Sequence, residues 1–332
     1  MTAPIPPETL SSIAIRPLAR TGIGISAIAF GGGPVSGLMT SESKREQLAT
    51  VERAILRGIN WFDTAATYGA GQSELSLGEV LAELQAPESI HVATKVRLGA
   101  DDLNDIKAAV KRSFAGSLKR LRRERVTLLQ LHNAVTNERG DAPTSITVAD
   151  VLGAGGVLEA FEELRAEGLV AHLGLTGLGQ RGALCEVLRQ GPWSTIQVTE
   201  HALIRRAGQA DGLLQTCAAR GVAALAIRVF GGGALSGQAP SVHTLKTPFF
   251  PLHLYARDQA NAQRVAARLP EGLSLPEVAI RHVLGNPLIT AAIVGLASPN
   301  QVDEIVRWAA RGPLPDEVKH LLAEMPLPEE TP

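Results

Sequence analysis

Only two cysteines, Cys185 and Cys217, occur among the 332 residues, so neither a disulfide framework nor a thiolate metal cluster has the ligands it needs. A reducing compartment suits such a chain. No stretch approaches twenty uninterrupted apolar residues, and the start, MTAPIPPETL, has no basic segment leading into an apolar run. This argues against a membrane span and against a secretory signal. Neither sign of charge is in excess: 32 Lys and Arg stand against 33 Asp and Glu, a formal net charge of −1. The local basic run at 119–125 reads as the solvated end of a helix, and no global field would gather nucleic acid or an anionic membrane. Internal repeats, low-complexity runs and interdomain linkers are also missing. The expectation is a cytoplasmic protein whose partners are neither nucleic acid nor membrane.

What the chain does contain is a rhythm. Apolar residues make up 45% and charged residues 20%, enough for one large core, and this length suits a single α/β barrel with insertions. Short apolar runs alternate with amphipathic segments almost from end to end, as parallel strands and crossover helices do. Candidate strands cover 28–31, 59–63, 90–95, 127–132, 170–175, 195–198, 222–227 and 291–294. Eight is the number that closes a barrel. Helical patterns cover 43–57, 73–84, 103–121, 157–167, 183–189, 212–220 and 276–284, with Gly58, Gly168 and Gly221 placed as left-handed caps before the next strand. A last barrel helix over 299–309 takes Ser298 as N-cap and Pro299 at its first position, and a short helix follows Pro315. The spacing predicts one (β/α)8 TIM barrel over 13–326, between a flexible tail at 1–12 and another at 327–332. A β-hairpin over 13–25, turning at Thr21-Gly22, is placed to plug the bottom of the barrel. Irregular stretches at 133–156 and 231–255 follow strands four and seven, and belong to the C-terminal face where active-site loops lie.

Three consecutive candidate strands end in polar residues. The second runs into Asp63, with Tyr68 five residues later on a glycine-rich loop; the third ends in Lys95 and the fourth in His132. Taken singly, Asp63 suits a loop cap, Tyr68 suits packing and His132 suits a satisfied core position. Lysine is rarely buried without a partner, however, and a barrel brings these strand ends to one mouth. A lysine ammonium there would pair with the aspartate, stabilise tyrosinate and depress the tyrosine pKa, making Tyr68 usable for proton transfer.

The four segments resemble the aldo-keto reductase family, in the Asp63 to Tyr68 motif continuing into Ser73-Glu74, the Ala-Thr-Lys95 strand and the Leu-Leu-Gln-Leu-His132 strand. The late segments Glu277-Val-Ala-Ile-Arg281 and Ile293-Val-Gly-Leu-Ala-Ser-Pro-Asn-Gln301-Val-Asp-Glu304 agree. The resemblance implies Tyr68 as general acid in reduction of an aldehyde, ketone or sugar, assisted by Lys95 and Asp63, with His132 orienting the carbonyl. It implies a nicotinamide cofactor, NADP with NAD as the alternative, bound without a Rossmann fingerprint; no Gly-x-Gly-x-x-Gly joins a strand to a helix here. By the same likeness, cofactor contacts fall on Gly32, Gly33, Asp63 and Thr176, and on Gln197 for the nicotinamide carboxamide. Further contacts fall on Ile227, Arg228 and Val229, on Phe230, Gly231, Gly233, Leu235 and Gly237 around the pyrophosphate, and on Val294, Gly295, Leu296, Ser298, Gln301 and Glu304 at the adenosine.

Three positions depart from the family pattern. Ile227 stands where many members stack a tyrosine on the nicotinamide, so either Ile227 or the planar Arg228 supplies that surface. Thr176 and Gly177 replace the usual serine and asparagine. Gly295, Asn300 and Gln301 offer no cation for a 2'-phosphate, which weakens selectivity for NADP. The loops after strands one, four and seven would set specificity, with Phe249, Phe250 and Tyr255 lining the pocket or packing the loops, and Trp61 in the core.

Two other classes are compatible with parts of the chain. A metal-dependent barrel hydrolase could draw on His132, Glu200 and His201, but the sequence has no His-x-His on an early strand and no compact aspartate-histidine set, so no metal site is expected. A nucleotide-sensing barrel subunit without turnover is compatible with the fold. The complete set of four favours an enzyme.

Overall fold

The computed structural model describes residues 13–41, 43–204, 212–247 and 251–325. The expected tails, together with Phe249 and Phe250, lie outside the described residues. An antiparallel hairpin, β1 (Ile15–Pro17) and β2 (Gly24–Ser26), opens the fold. Next come β3 (Ile28–Gly31), β4 (Trp61–Asp63), β5 (His91–Val96) and β6 (Val126–Leu131), then a small parallel pair, β7 (Val135–Thr136) and β8 (Ile146–Thr147). β9 (Val170–Thr176), β10 (Thr195–Thr199), β11 (Ala223–Ile227) and β12 (Ile289–Gly295) complete the set. β3 to β6 and β9 to β12 form one closed parallel barrel, so the (β/α)8 TIM-barrel reading holds.

Strand alternation sorts the side chains. Ile28, Phe30, Phe62, Val92, Leu129, Leu173, Ile196 and Ala224 point outward and bury the apolar stripes of the surrounding helices. Ala29, Trp61, Ala93, Leu128, Ala223, Leu225 and Ala291 point inward and pack with Leu18 and Ile25 of the hairpin. The hairpin therefore seals the lower end with an apolar plug. On β4, β5, β6 and β10 the next inward residues up are Asp63, Lys95, Gln130 and Gln197, all polar and all buried. On those four strands the barrel interior changes from apolar to polar within one layer.

Helix ends follow their local chemistry. Gly58, Gly168 and Gly221 adopt φ of 83°, 75° and 68°, the left-handed region where only glycine is unstrained. Ser298 accepts from the Gln301 amide and caps the helix Pro299–Ala310, with Pro299 at its start. Two stretches expected to be irregular are not. The 133–156 connection holds β7, β8 and the helix Val148–Leu152, whose Thr147 and Asp150 form a reciprocal cap. The 231–255 stretch holds the helix Val242–Lys246 and the start of Leu252–Ala266, a fifteen-residue helix. The buried face of that longer helix includes Asp258 and Asn261, which break the apolar stripe that would otherwise reveal it. Tyr255, on the same helix, packs among Leu203, Leu235 and Val278 in a second apolar cluster, so packing is its role.

Leu18→Ala should lower the unfolding free energy by about 2–5 kcal/mol in urea denaturation. Leu56→Ala, at a site 67% exposed, should change it by less than about 0.5 kcal/mol.

Candidate active site

Asp63 ends β4, Lys95 is the penultimate residue of β5, and His132 follows β6 directly. Because parallel strands of a barrel all point to the same mouth, the three side chains converge. Lys95 is fully buried and donates from Nζ to Asp63 Oδ1, to the Thr64 carbonyl at 2.9 Å and to the Tyr68 hydroxyl at 3.3 Å. The other carboxylate oxygen of Asp63 accepts from Gln130 Nε2 at 3.0 Å and Gln197 Nε2 at 2.6 Å. A buried carboxylate is costly unless paired and hydrogen-bonded, and here both oxygens are. Gly174, facing inward opposite Gln130, has no space for a side chain: a Cβ there would strike Thr195 Oγ1 and stand 3.0 Å from Gln130 Cγ.

Tyr68 is half-buried on the loop after β4, in a short 3-10 turn where Gly69 and Ala70 both take left-handed dihedrals. Its ring meets the His132 ring edge-on, centroids 5.5 Å apart at 85°. The loop is anchored from behind: Ser73 Oγ donates to the Gly32 carbonyl at 2.8 Å and contacts Thr64 Oγ1, while buried Glu74 accepts from Thr94 at 2.5 Å and from Arg120 at 2.7 Å.

Burial, reinforced by the charges of Lys95 and Arg97, holds the His132 imidazole well below its ordinary pKa. The ring is neutral near pH 7, with Nδ1 3.4 Å from Thr67 Oγ1 and Nε2 left for another partner. Burial would lower the Lys95 ammonium, yet Asp63 and Tyr68 beside it hold it above the usual lysine range. Lys95 is therefore a permanent cation.

The residues expected to hold a cofactor divide into three groups. Gly32 and Gly33 follow β3 at the mouth; Gly33 lies against the Tyr68 ring, and a Cβ at Gly32 would strike Ser73 Oγ at 2.7 Å. Thr176 and Gln197 are register partners on β9 and β10, and Thr176 Oγ1 is buried with no hydrogen-bond partner. Ile227 ends β11, and Arg228 after it takes φ 55°, rare for a long side chain. Burial lowers the Arg228 guanidinium, and the nearby Tyr68 and Asp258 oppose that shift. Gly231, Gly232 and Gly233 follow with φ of 57°, 67° and 109°, a backbone only glycine sustains and one that lets main-chain N–H groups approach an anion. The side chains of Val229, Leu235, Val294 and Leu296 are buried in the core, so only their main chains can face a ligand. Gln301 Oε1 accepts from the Ala297 amide at 2.8 Å and braces the 295–301 turn, Ser298 is spent on the helix cap, and Glu304 is exposed. Gly295 abuts Ser36, whose Cβ would stand 3.1 Å from any Cβ added to that glycine, and Gly237 takes φ 71°.

The aldo/keto reductase family model matches residues 27–325. The chain belongs to that family. This aldo/keto reductase is 28% identical over 301 residues to L-galactose dehydrogenase of Arabidopsis thaliana, covering 90% of this chain and 88% of that one. It is 29% identical over 318 residues to D-threo-aldose 1-dehydrogenase of a Pseudomonas species, covering 88% and 92%. In fold it is similar to an aldo-keto reductase from Bacillus halodurans in its holo form, with TM-score 0.70, 23% identity, and 94% and 96% of the two chains covered. The chain is thus an oxidoreductase of a family that uses nicotinamide cofactors. Among the described residues no helix is long and apolar enough to cross a membrane.

Sequence pattern alone does not single out Gln130, Thr67 or Arg97 in this reductase. The available signals were a buried amide two residues before His132 and an arginine two residues after Lys95, each on the inward face by strand alternation.

A histidine whose pKa the fold lowers contributes nothing above the unfolded value of about 6.5, where it is neutral in both states; as pH falls below that value, protonation of the unfolded chain lowers stability. Thermal stability should therefore drop between pH 7 and 5, and His132→Gln should remove up to about 1.4 kcal/mol per pH unit of that slope, measured by denaturation at each pH.

Proposed function

We propose that this protein interconverts a carbonyl and an alcohol on a small, sugar-like molecule, with Tyr68 as the proton donor and acceptor. The observation that carries the reading is the Tyr68 hydroxyl 3.3 Å from the buried Lys95 ammonium, beside a neutral histidine at the barrel mouth. A bound nicotinamide dinucleotide supplies or accepts the hydride. Tyr68 gives its phenolic proton to the substrate oxygen in reduction and takes it back in oxidation. Lys95 stabilises the phenolate left behind, and Asp63 keeps Lys95 charged and in position. His132, with Nδ1 turned to Thr67, offers Nε2 to the same substrate oxygen and orients it.

The residues present fit the dinucleotide. The unpartnered Thr176 hydroxyl and the Gln197 amide oxygen, whose nitrogen is committed to Asp63, suit a carboxamide. Arg228 and Ile227 would cover the nicotinamide, residues 230–237 would wrap the pyrophosphate, and residues 294–304 would take the adenosine. With no cation at Gly295, Asn300 or Gln301, NADP is favoured over NAD only weakly. The sugar reading is supported by the names of two relatives, L-galactose dehydrogenase and D-threo-aldose 1-dehydrogenase, the second of which names carbon 1.

Tyr68→Phe should reduce kcat by about 10²–10⁴-fold on any accepted aldose while cofactor affinity, read by nucleotide fluorescence, stays within about twofold. A variant keeping most of its kcat would show that another group moves the proton. Lys95→Met should lose comparable activity, and it should also cost about 3–5 kcal/mol of stability by stranding the Asp63 carboxylate. Titration with NADPH and NADH should give dissociation constants within about tenfold of one another.

A further inference from the structure

Tyr68 reaches Lys95 from a turn that surrounding contacts must hold in place. Gly69, Ala70 and Gly71 take φ of 59°, 54° and 95°, three left-handed residues in succession, and Ala70 lacks the freedom that glycine has there. The turn runs straight into the helix Gln72–Glu83, whose first turn carries Glu74. A glutamate at that position ordinarily reaches back towards the helix cap. Glu74 is instead fully buried, and both its carboxylate oxygens are taken by other elements. Oε1 accepts from the hydroxyl of Thr94, the residue before Lys95 on β5, at 2.5 Å. Oε2 lies 2.7 Å from both Nε and Nη2 of Arg120, near the end of the helix Ile106–Leu121. Arg120 also lies along the turn itself: a Cβ on Gly71 would stand 2.8 Å from its Cδ and 2.9 Å from its Nε, and one on Gly78 would stand 2.6 Å from its carbonyl oxygen. Glycine at these two positions lets Arg120 press against the turn and the helix that follows it.

We propose that Arg120 is a positioning residue for the reaction: by pairing with Glu74 it holds the Tyr68 turn against β5 and keeps the Tyr68 hydroxyl within reach of Lys95. The proposal rests on the reading of Tyr68 as proton donor given above. One carboxylate serves both partners of the 3.3 Å contact, since Glu74 leads back along its own chain to Tyr68 and is bonded through Thr94 to the strand of Lys95. A buried carboxylate is tolerated only while it is paired. Without Arg120, Glu74 would keep a single hydroxyl donor in the interior, and its helical turn would relieve the charge by moving outwards to water, carrying the Tyr68 turn with it. Arg120 is itself 33% exposed and touches no reacting group, so its whole effect passes through Glu74 and the turn. Misplacing a reacting group by about 1 Å lowers a rate by about 10²-fold. The effect therefore falls on kcat, and the cofactor contacts proposed on β9 to β12 stay in place.

The chain has two tyrosines, Tyr68 and Tyr255, so in a Tyr255→Phe background tyrosine labelled with carbon-13 at Cζ gives one signal, that of Tyr68. That signal, and steady-state oxidation of L-galactose and reduction of glyceraldehyde with saturating NADP(H) or NAD(H), are compared for the background protein, Arg120→Met, Arg120→Lys and Glu74→Gln. Arg120→Met should lower kcat by about 10–100-fold, with KM and dinucleotide affinity within about twofold, and should displace the Tyr68 signal. Arg120→Lys should restore both in part. If Arg120→Met fails to fold, Glu74→Gln, which keeps the shape and removes the buried charge, must lower kcat and displace the signal in the same way for the proposal to stand. An unchanged kcat, a loss carried by KM or by dinucleotide affinity, or a Tyr68 signal that stays in place while only the melting temperature falls would each overturn the assignment. A displaced signal in a protein that turns over neither substrate, or whose Tyr68→Phe variant keeps its kcat, would instead overturn the reading of Tyr68 as proton donor to a sugar-like substrate and leave the brace standing.

Discussion

The buried ion pair between Lys95 and Asp63 is the constraint around which the upper barrel is organised. Two full charges sit in an interior that would otherwise expel them, and they are tolerated because every strong hydrogen-bonding atom of the carboxylate is engaged. Gln130 and Gln197 complete that satisfaction. The layer below is apolar and closed by the hairpin, so water cannot enter from beneath. Low polarity below makes the Lys95 charge strong where it is felt, at the Tyr68 hydroxyl.

The same arrangement sets the state of the other groups at the mouth. His132 is neutral because it is buried beside two cations, and a neutral imidazole can orient a substrate oxygen without competing for the Tyr68 proton. The result is a reaction centre built on one internally neutralised pair. The family supplies the barrel and the redox class.

Periodicity made much of the fold legible. Eight apolar runs, the glycine caps at 58, 168 and 221, and the Ser298-Pro299 helix start are local signals with local causes, and the structure bears them out. The helix Leu252–Ala266 was not legible, because buried Asp258 and Asn261 interrupt the stripe that would announce it. The small strands and helix within 133–156 were hidden for a related reason: they are too short to carry a period.

The chain by itself determined which polar residues end the strands, since an apolar run stopping at Asp63, Lys95 or His132 is visible in one dimension. Barrel closure decided what those residues do to one another. Gln197 lies 134 positions from Asp63 in sequence and 2.6 Å from it in space. Hydrogen bonds and charge effects fall off over a few ångströms, so partners this remote in the chain are chosen by strand register, and register exists only once the barrel has closed.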